Sequence, residues 1–191
     1  MDPLRAAWYS LAPLKSVRAT RDEEEDDRMM NSFKAGDKAV YPAHGVGEVV
    51  GIETREIAAQ KCMFYILKII DSGMKIMVPI DKAASVGLRG VITRKEAEEV
   101  MGVLKGSGVA VESQPWNRRY REYMEMLKSG SPFEVAKVLR DLSRLKFGKD
   151  LSFGERRLLD QARTLLVKEL ALARRVSERV VEKEIGTIFA A

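Results

Sequence analysis

The stretch K-I-I-D-S-G-M-K-I-M-V-P-I at 68–80 decides the fold of the first half of this chain. Two apolar runs, Ile66 to Ile70 and Met74 to Ile80, flank Asp71-Ser72-Gly73, a tight-turn signal, so the segment reads as a β-hairpin. In its second strand Lys75, Met77 and Pro79 fall on one face and Ile76, Val78 and Ile80 on the other, because side chains alternate along a strand. One face is core, and the other mixes apolar and basic groups. Pro79 lacks the N–H that a central strand would use, which assigns this strand to a sheet edge, and an exposed edge can accept a partner.

Upstream, K-A-V-Y, G-E-V-V-G-I-E-T and C-M-F-Y-I-L-K-I-I are further short strands, broken at Pro42, Gly45 and Gly47. Several strands within 33–92 predict a small barrel. After residue 92 the pattern becomes helical. Thr93 with Glu96, Ser131 with Glu134 and Ser152 with Glu155 have capping-box spacing, and Pro132 occupies the favoured first helical position. A further start falls at Ser113 to Trp116 and another near Ser177, predicting helices near 94–105, 115–128, 132–146, 153–174 and 177–188. The fourth carries Leu158, Leu159, Ala162, Leu165, Leu166 and Leu170 as a core stripe. The fold class is therefore α+β, with a small β-barrel at 33–92 followed by an all-α domain of about five helices at 93–191.

Residues 1–32 read as a disordered acidic tail, since D-E-E-E-D-D at 22–27 repels itself and no apolar periodicity precedes it. Met29 and Met30 stand just before the first patterned segment and mark an alternative natural start. Of 191 residues 46% are hydrophobic, enough for real cores, and the net charge of +5 arises mostly after residue 92, where 20 basic side chains face 15 acidic ones. A mildly basic chain suits nucleic acid or an acidic protein partner. Cys62 is the sole cysteine, which rules out an intrachain disulfide and fits a reducing cytoplasm. No run approaches the roughly 18 apolar residues of a membrane span, and no secretory signal is present.

Catalytic constellations are nearly absent. One histidine, one cysteine, no phosphate-binding glycine loop and no metal-spaced set leave an enzyme the least supported class, with no cofactor and no metal expected. His44, between Pro42 and two glycines, reads as a turn or surface residue, and Cys62 as a small buried hydrophobe. Chemistry concentrates instead in S-Q-P-W-N-R-R-Y-R at 113–121, a tryptophan and three arginines at a helix start. Arginines hold phosphates, an indole fills a broken base stack, and first-turn amides offer a phosphate site. The same residues also allow a bland reading, because Trp116, Tyr120, Tyr123 and Leu127 recur at the spacing of a core stripe. Arg118 and Arg121 share a face roughly opposite the tryptophan, and Arg119 is within reach of Glu122. Arg156, Arg157, Arg163 and Lys168 lie off the leucine stripe and are by default a solvated face.

F-K-A-G-D-K-A-V-Y-P-A-H-G-V-G at 33–47, I-E-T-R at 52–55, V-P-I at 78–80, S-V-G-L-R at 85–89, P-W-N-R-R-Y at 115–120 and L-S-F-G-E-R-R-L-L at 151–159 occur in order. Together they resemble the CarD/CdnL family of bacterial transcription regulators in its short form, over essentially 33–189. The resemblance implies a Tudor-like barrel that binds the β subunit of RNA polymerase, similar to the module of the transcription-repair coupling factor, and a helical DNA-binding domain. It implies that Trp116 wedges at the upstream edge of the promoter bubble, with Arg118, Arg119, Arg121 and Arg157 on DNA and with Arg55, Ile57, Met77 and Pro79 on polymerase. Some members have an arginine where this chain has Met77, so that contact is expected to be more apolar here. The acidic tail has no counterpart in the family, and the basic repeat tail of the larger CarD proteins is missing. A cytoplasmic monomer, nucleoid-associated through polymerase, is expected. The rivals are a pure protein adaptor with Trp116 in its core and an RNA-binding factor, since small barrels recur there.

Overall fold

The computed structural model describes residues 32–57, 60–107 and 115–190, so the expectations for the acidic tail and for Ser113 lie outside the described residues, Ser32 excepted. Phe33–Ala191 form one compact unit.

Five strands precede the helices: β1 (Lys38–Tyr41), β2 (Gly45–Ile57), β3 (Gln60–Ile69), β4 (Lys75–Pro79) and β5 (Arg89–Gly90), with a 3-10 turn at Ile80–Lys82. They pair in the order β4-β3-β2-β1-β5, every pair antiparallel. The hairpin expected around Asp71 to Gly73 is present, with Gly73 at φ +66° and its N–H donated to the Ile69 carbonyl at 2.9 Å. β4 is an edge, as Pro79 required. Its inward residues Ile76 and Val78 join Val49, Tyr65, Leu67 and Leu88 in the sheet's core. β2 and β3 run further than the sequence suggested, pairing out to Ile57 and Gln60, so Arg55 and Ile57 lie on a projecting β arm. A register shift between Val49 and Gly51 marks a bulge near the base of that arm, where bulges increase strand twist.

Five helices follow among the described residues: α1 (Arg94–Lys105), α2 (Trp116–Lys128), α3 (Pro132–Gly148), α4 (Phe153–Arg174) and α5 (Glu178–Ala190). Their core is assembled around α4, whose Leu158, Ala162, Leu166 and Leu170 are buried as the stripe predicted, with Leu159 and Leu165 packed at its margins. Two of the three capping boxes close reciprocally, at Thr93/Glu96 and Ser152/Glu155. The third does not. Ser131 accepts the Glu134 N–H, but the Glu134 carboxylate turns to Lys137 at 2.6 Å, and the Ser131 N–H is taken by the Ser129 hydroxyl at 3.1 Å. A lysine one turn along outcompetes the cap because the ion pair is charge-assisted on both sides.

Removing the hydroxyl in Ser152→Ala is expected to lower stability by about 1 kcal/mol, and in Ser131→Ala by less, since only the first ends a reciprocal box. Urea unfolding followed by circular dichroism reads the two losses, and a larger loss at Ser131 would contradict this ranking.

Candidate nucleic-acid interface and partner face

Trp116 opens α2. Pro115 stands before it at φ −57°, its carbonyl accepting the N–H groups of Arg118 at 3.1 Å and Arg119 at 3.2 Å. Among the described residues no side chain caps this end and no acid occupies its first turn. The indole is partly buried and lies against α4 at Gly154, where an added Cβ would come within 2.8 Å of the ring. That contact explains the glycine inside L-S-F-G-E-R-R. Tyr120 leans on the indole at 5.5 Å between centroids, and the Arg119 guanidinium sits 5.7 Å from the ring centre.

Arg119 is only 8% exposed and pairs with Glu155 at 3.2 Å. The expected Arg119 to Glu122 pairing is corrected: Arg118 takes Glu122 at 3.1 Å along the exposed helix face, while Arg119 turns inward. Arg119 is thereby placed as a support beneath the ring, not as a surface group beside a phosphate. Glu155 also accepts the Ser152 N–H at 2.8 Å and has Lys149 at 3.7 Å. Burial alone would raise its carboxyl; the hydrogen bonds from Ser152, then Lys149 and Arg119, outweigh it and hold the pKa below the ordinary value. Among the described residues Nε and Nη1 of Arg119 find no hydrogen-bond acceptor, and the guanidinium lies over the indole.

The tyrosine stripe divides between its two readings. Tyr123 and Leu127 are core, and burial with the nearby Asp141 charge pushes the Tyr123 phenol up to about 12, whereas Tyr120 is exposed. Arg118 and Arg121 are exposed on the side of α2 roughly opposite the tryptophan, and Arg156 and Arg157 are exposed on α4. Sequence reasoning missed Phe153, the first residue of α4, which is 84% exposed beside Gly154. Its signal was available: a phenylalanine outside the leucine periodicity, in a segment that also exposes Phe147, Lys146 and Lys149.

The second surface is on the sheet. Directly paired strand residues share a face, and the register Arg55↔Cys62, Phe64↔Pro79, Ile66↔Met77 and Ile57↔Gln60 puts Arg55, Ile57, Met77 and Pro79 on the same side. The four residues singled out from the resemblance thus share one face of the sheet, spread along it from β4 out onto the arm. Arg55 is exposed and bonded to Glu53 at 3.0 Å, and Ile57 is exposed at the end of the arm. Cys62, expected to be buried, is partly exposed on this face opposite Arg55, where the arm extends past the end of β4. His44 is exposed in the β1–β2 turn beside Tyr41, as expected. Among the described residues no His/Cys/Asp/Glu group is placed to hold a metal ion, and no helix is long and apolar enough to cross a membrane.

The sheet thus carries an edge and one mixed apolar and basic face, and the bundle carries a partly exposed indole on two helices that also expose arginines. Residues 33–92 match the family model of the CarD-like/TRCF RID domain, and residues 99–186 match that of CarD, C-terminal domain. The chain belongs to the CarD/CdnL family of transcription regulators that interact with RNA polymerase, and its sheet is of the Tudor-like kind. It is 32% identical over 150 residues to "Putative transcription factor YdeB" of Bacillus subtilis (strain 168), across 78% of this chain and 97% of that protein. It is also similar to the solved structure of CdnLNt from Myxococcus xanthus, at 61% identity over 32% of this chain and 87% of that one, with a TM-score of 0.29.

Two outcomes follow from the indole's support. In a Trp8→Phe background, Gly154→Ala should preserve helicity yet shift Trp116 emission, because the new methyl displaces the ring; an unchanged spectrum would contradict the contact. Glu155→Gln should cost about 3 kcal/mol by stranding a buried guanidinium. The sign of its pH dependence is fixed: a carboxyl whose folded pKa lies below the ordinary 4.5 contributes stability at neutral pH that is lost as pH falls through the folded value. Acid unfolding of the wild type should therefore be steeper below about pH 5 than that of the glutamine variant.

Proposed function

We propose that this protein activates transcription initiation by binding the β subunit of RNA polymerase with its sheet and stabilising the open promoter complex with Trp116. The carrying observation is the indole itself, held partly exposed on Gly154 with Arg119 beneath it, on two helices that also expose Arg118, Arg121 and Arg157. A flat ring so mounted can fill the stacking position left open at the upstream edge of a bubble. Intact duplex would first have to be unstacked at a cost of a few kcal/mol, so the group favours the open state. Polymerase docking alone favours neither state, because equal affinity for two states shifts nothing. Each 1.4 kcal/mol of preference raises the open to closed ratio about tenfold.

Arg118, Arg121 and Arg157 supply phosphate contacts without sequence preference, and Phe153 adds an exposed apolar surface at the start of the helix that seats the ring. Free DNA binding is then weak and salt-sensitive, and docking on polymerase makes it sufficient through effective concentration. Arg55, Ile57, Met77 and Pro79 form the polymerase contact, with methionine making it less salt-dependent than an arginine would. The protein acts as a monomer without a cofactor.

The packing of Trp116 against the bundle core also favours a second reading, a protein adaptor in which the ring is purely structural. Trp116→Ala separates the two. On an unstable promoter with its cognate polymerase, wild type should lengthen open-complex lifetime about tenfold or more, and a folded Trp116→Ala variant should not. Unfolding of the bundle by that change would favour the adaptor, and no lengthening by wild type would dismiss the activator. Arg118→Ala with Arg121→Ala should weaken DNA binding evenly across sequences and reduce the slope of log K against log salt by roughly 2.

A further inference from the structure

The motifs Y-P-A-H-G at 41–45 and S-V-G-L-R at 85–89 have no part in either surface, yet they meet at one place, where the sheet joins the bundle. Arg89, at the start of β5, directs Nη1 and Nη2 onto the two oxygens of Glu169 in α4, the second at 3.0 Å, and donates Nε to the Gly130 carbonyl at 2.8 Å. Glu169 is 4% exposed and also accepts the Ile92 N–H at 3.3 Å. One guanidinium therefore ties β5, the α2–α3 turn and α4 together. Beside it Pro42 is inserted between two glycines, both at φ +76°: a Cβ on Gly87 would come within 2.9 Å of the proline ring, and one on Gly130 within 3.0 Å. A Cβ on Gly45 would come within 3.2 Å of Leu165 of α4, and Lys168, the neighbour of Glu169, pairs with Asp71 in the β3–β4 turn.

We infer that this joint is a rigid coupling that makes sheet and bundle one body, with Arg89 and Glu169 as its positioning residues. A bidentate fork fixes orientation as well as distance, which a lysine could not do. Pro42 blocks sliding, because both of its neighbours lack the side chain that would otherwise hold the surfaces apart. The consequence rests on the function proposed above: a stiff connection presents Trp116 at one geometry relative to the polymerase face, so no effective concentration is lost to misdirected poses.

The joint can be read without polymerase, by spin labels on the native Cys62 and on Glu182→Cys in the full chain. Wild type should give one narrow distance distribution. Arg89→Met combined with Glu169→Gln removes both charges without stranding either and should broaden it about twofold. Arg89→Lys should fall between, and Pro42→Ala provides a milder opening should the double variant not fold. Without labels, the double variant should bind polymerase as wild type does but lose roughly three- to tenfold of the gain in open-complex lifetime. A distribution that stays narrow in both the double and the Pro42→Ala variants would overturn the coupling, as would a broad one with the full lifetime gain. A narrow wild-type distribution with no lifetime gain would count against the proposed function and leave the rigid joint supported.

Discussion

The helical core is assembled around α4, and the buried pair that ties the sheet to this helix is Arg89 with Glu169. A carboxylate so buried is stable only with its charge matched and its lone pairs occupied, and the arginine fork and the Ile92 amide do both. The cost of burying the charges explains why the contact specifies more than it stabilises. An apolar pair could glue the modules in several registers, whereas the fork admits one.

Glu155 plays a comparable part at the other end of α4. It closes the helix cap with Ser152, receives Arg119, and through Arg119 supports the indole from below while Gly154 leaves room at its edge. The first turn of one helix thus serves as the seat for the first turn of another. A tryptophan at a helix start would otherwise be free to choose among rotamers, and its ordering would cost entropy on binding.

Much of this was legible in the chain. Helix limits followed from caps whose chemistry is local, and Pro79 marked the edge strand because a missing N–H means the same wherever it occurs. The common face of Arg55, Ile57, Met77 and Pro79 was half visible: alternation placed Met77 with Pro79, but joining them to Arg55 needed the register past a bulge. Ser131 misled because its partner glutamate had a lysine within reach, a competition that spacing alone does not rank. Arg119 misled for the opposite reason, since its true partner is 36 residues away.

By itself, then, the sequence determined the strands, the helices, the edge and the core stripe, all of which depend on periodicity and on groups a few residues apart. Tertiary structure decided which arginine faces inward, where Phe153 projects, and why Pro42, Gly87, Gly130 and Arg89 matter together. The physical reason is range: backbone hydrogen bonding and amphipathicity repeat along the chain and can be read from it. A buried ion pair or a proline between two glycines exists only once distant segments meet.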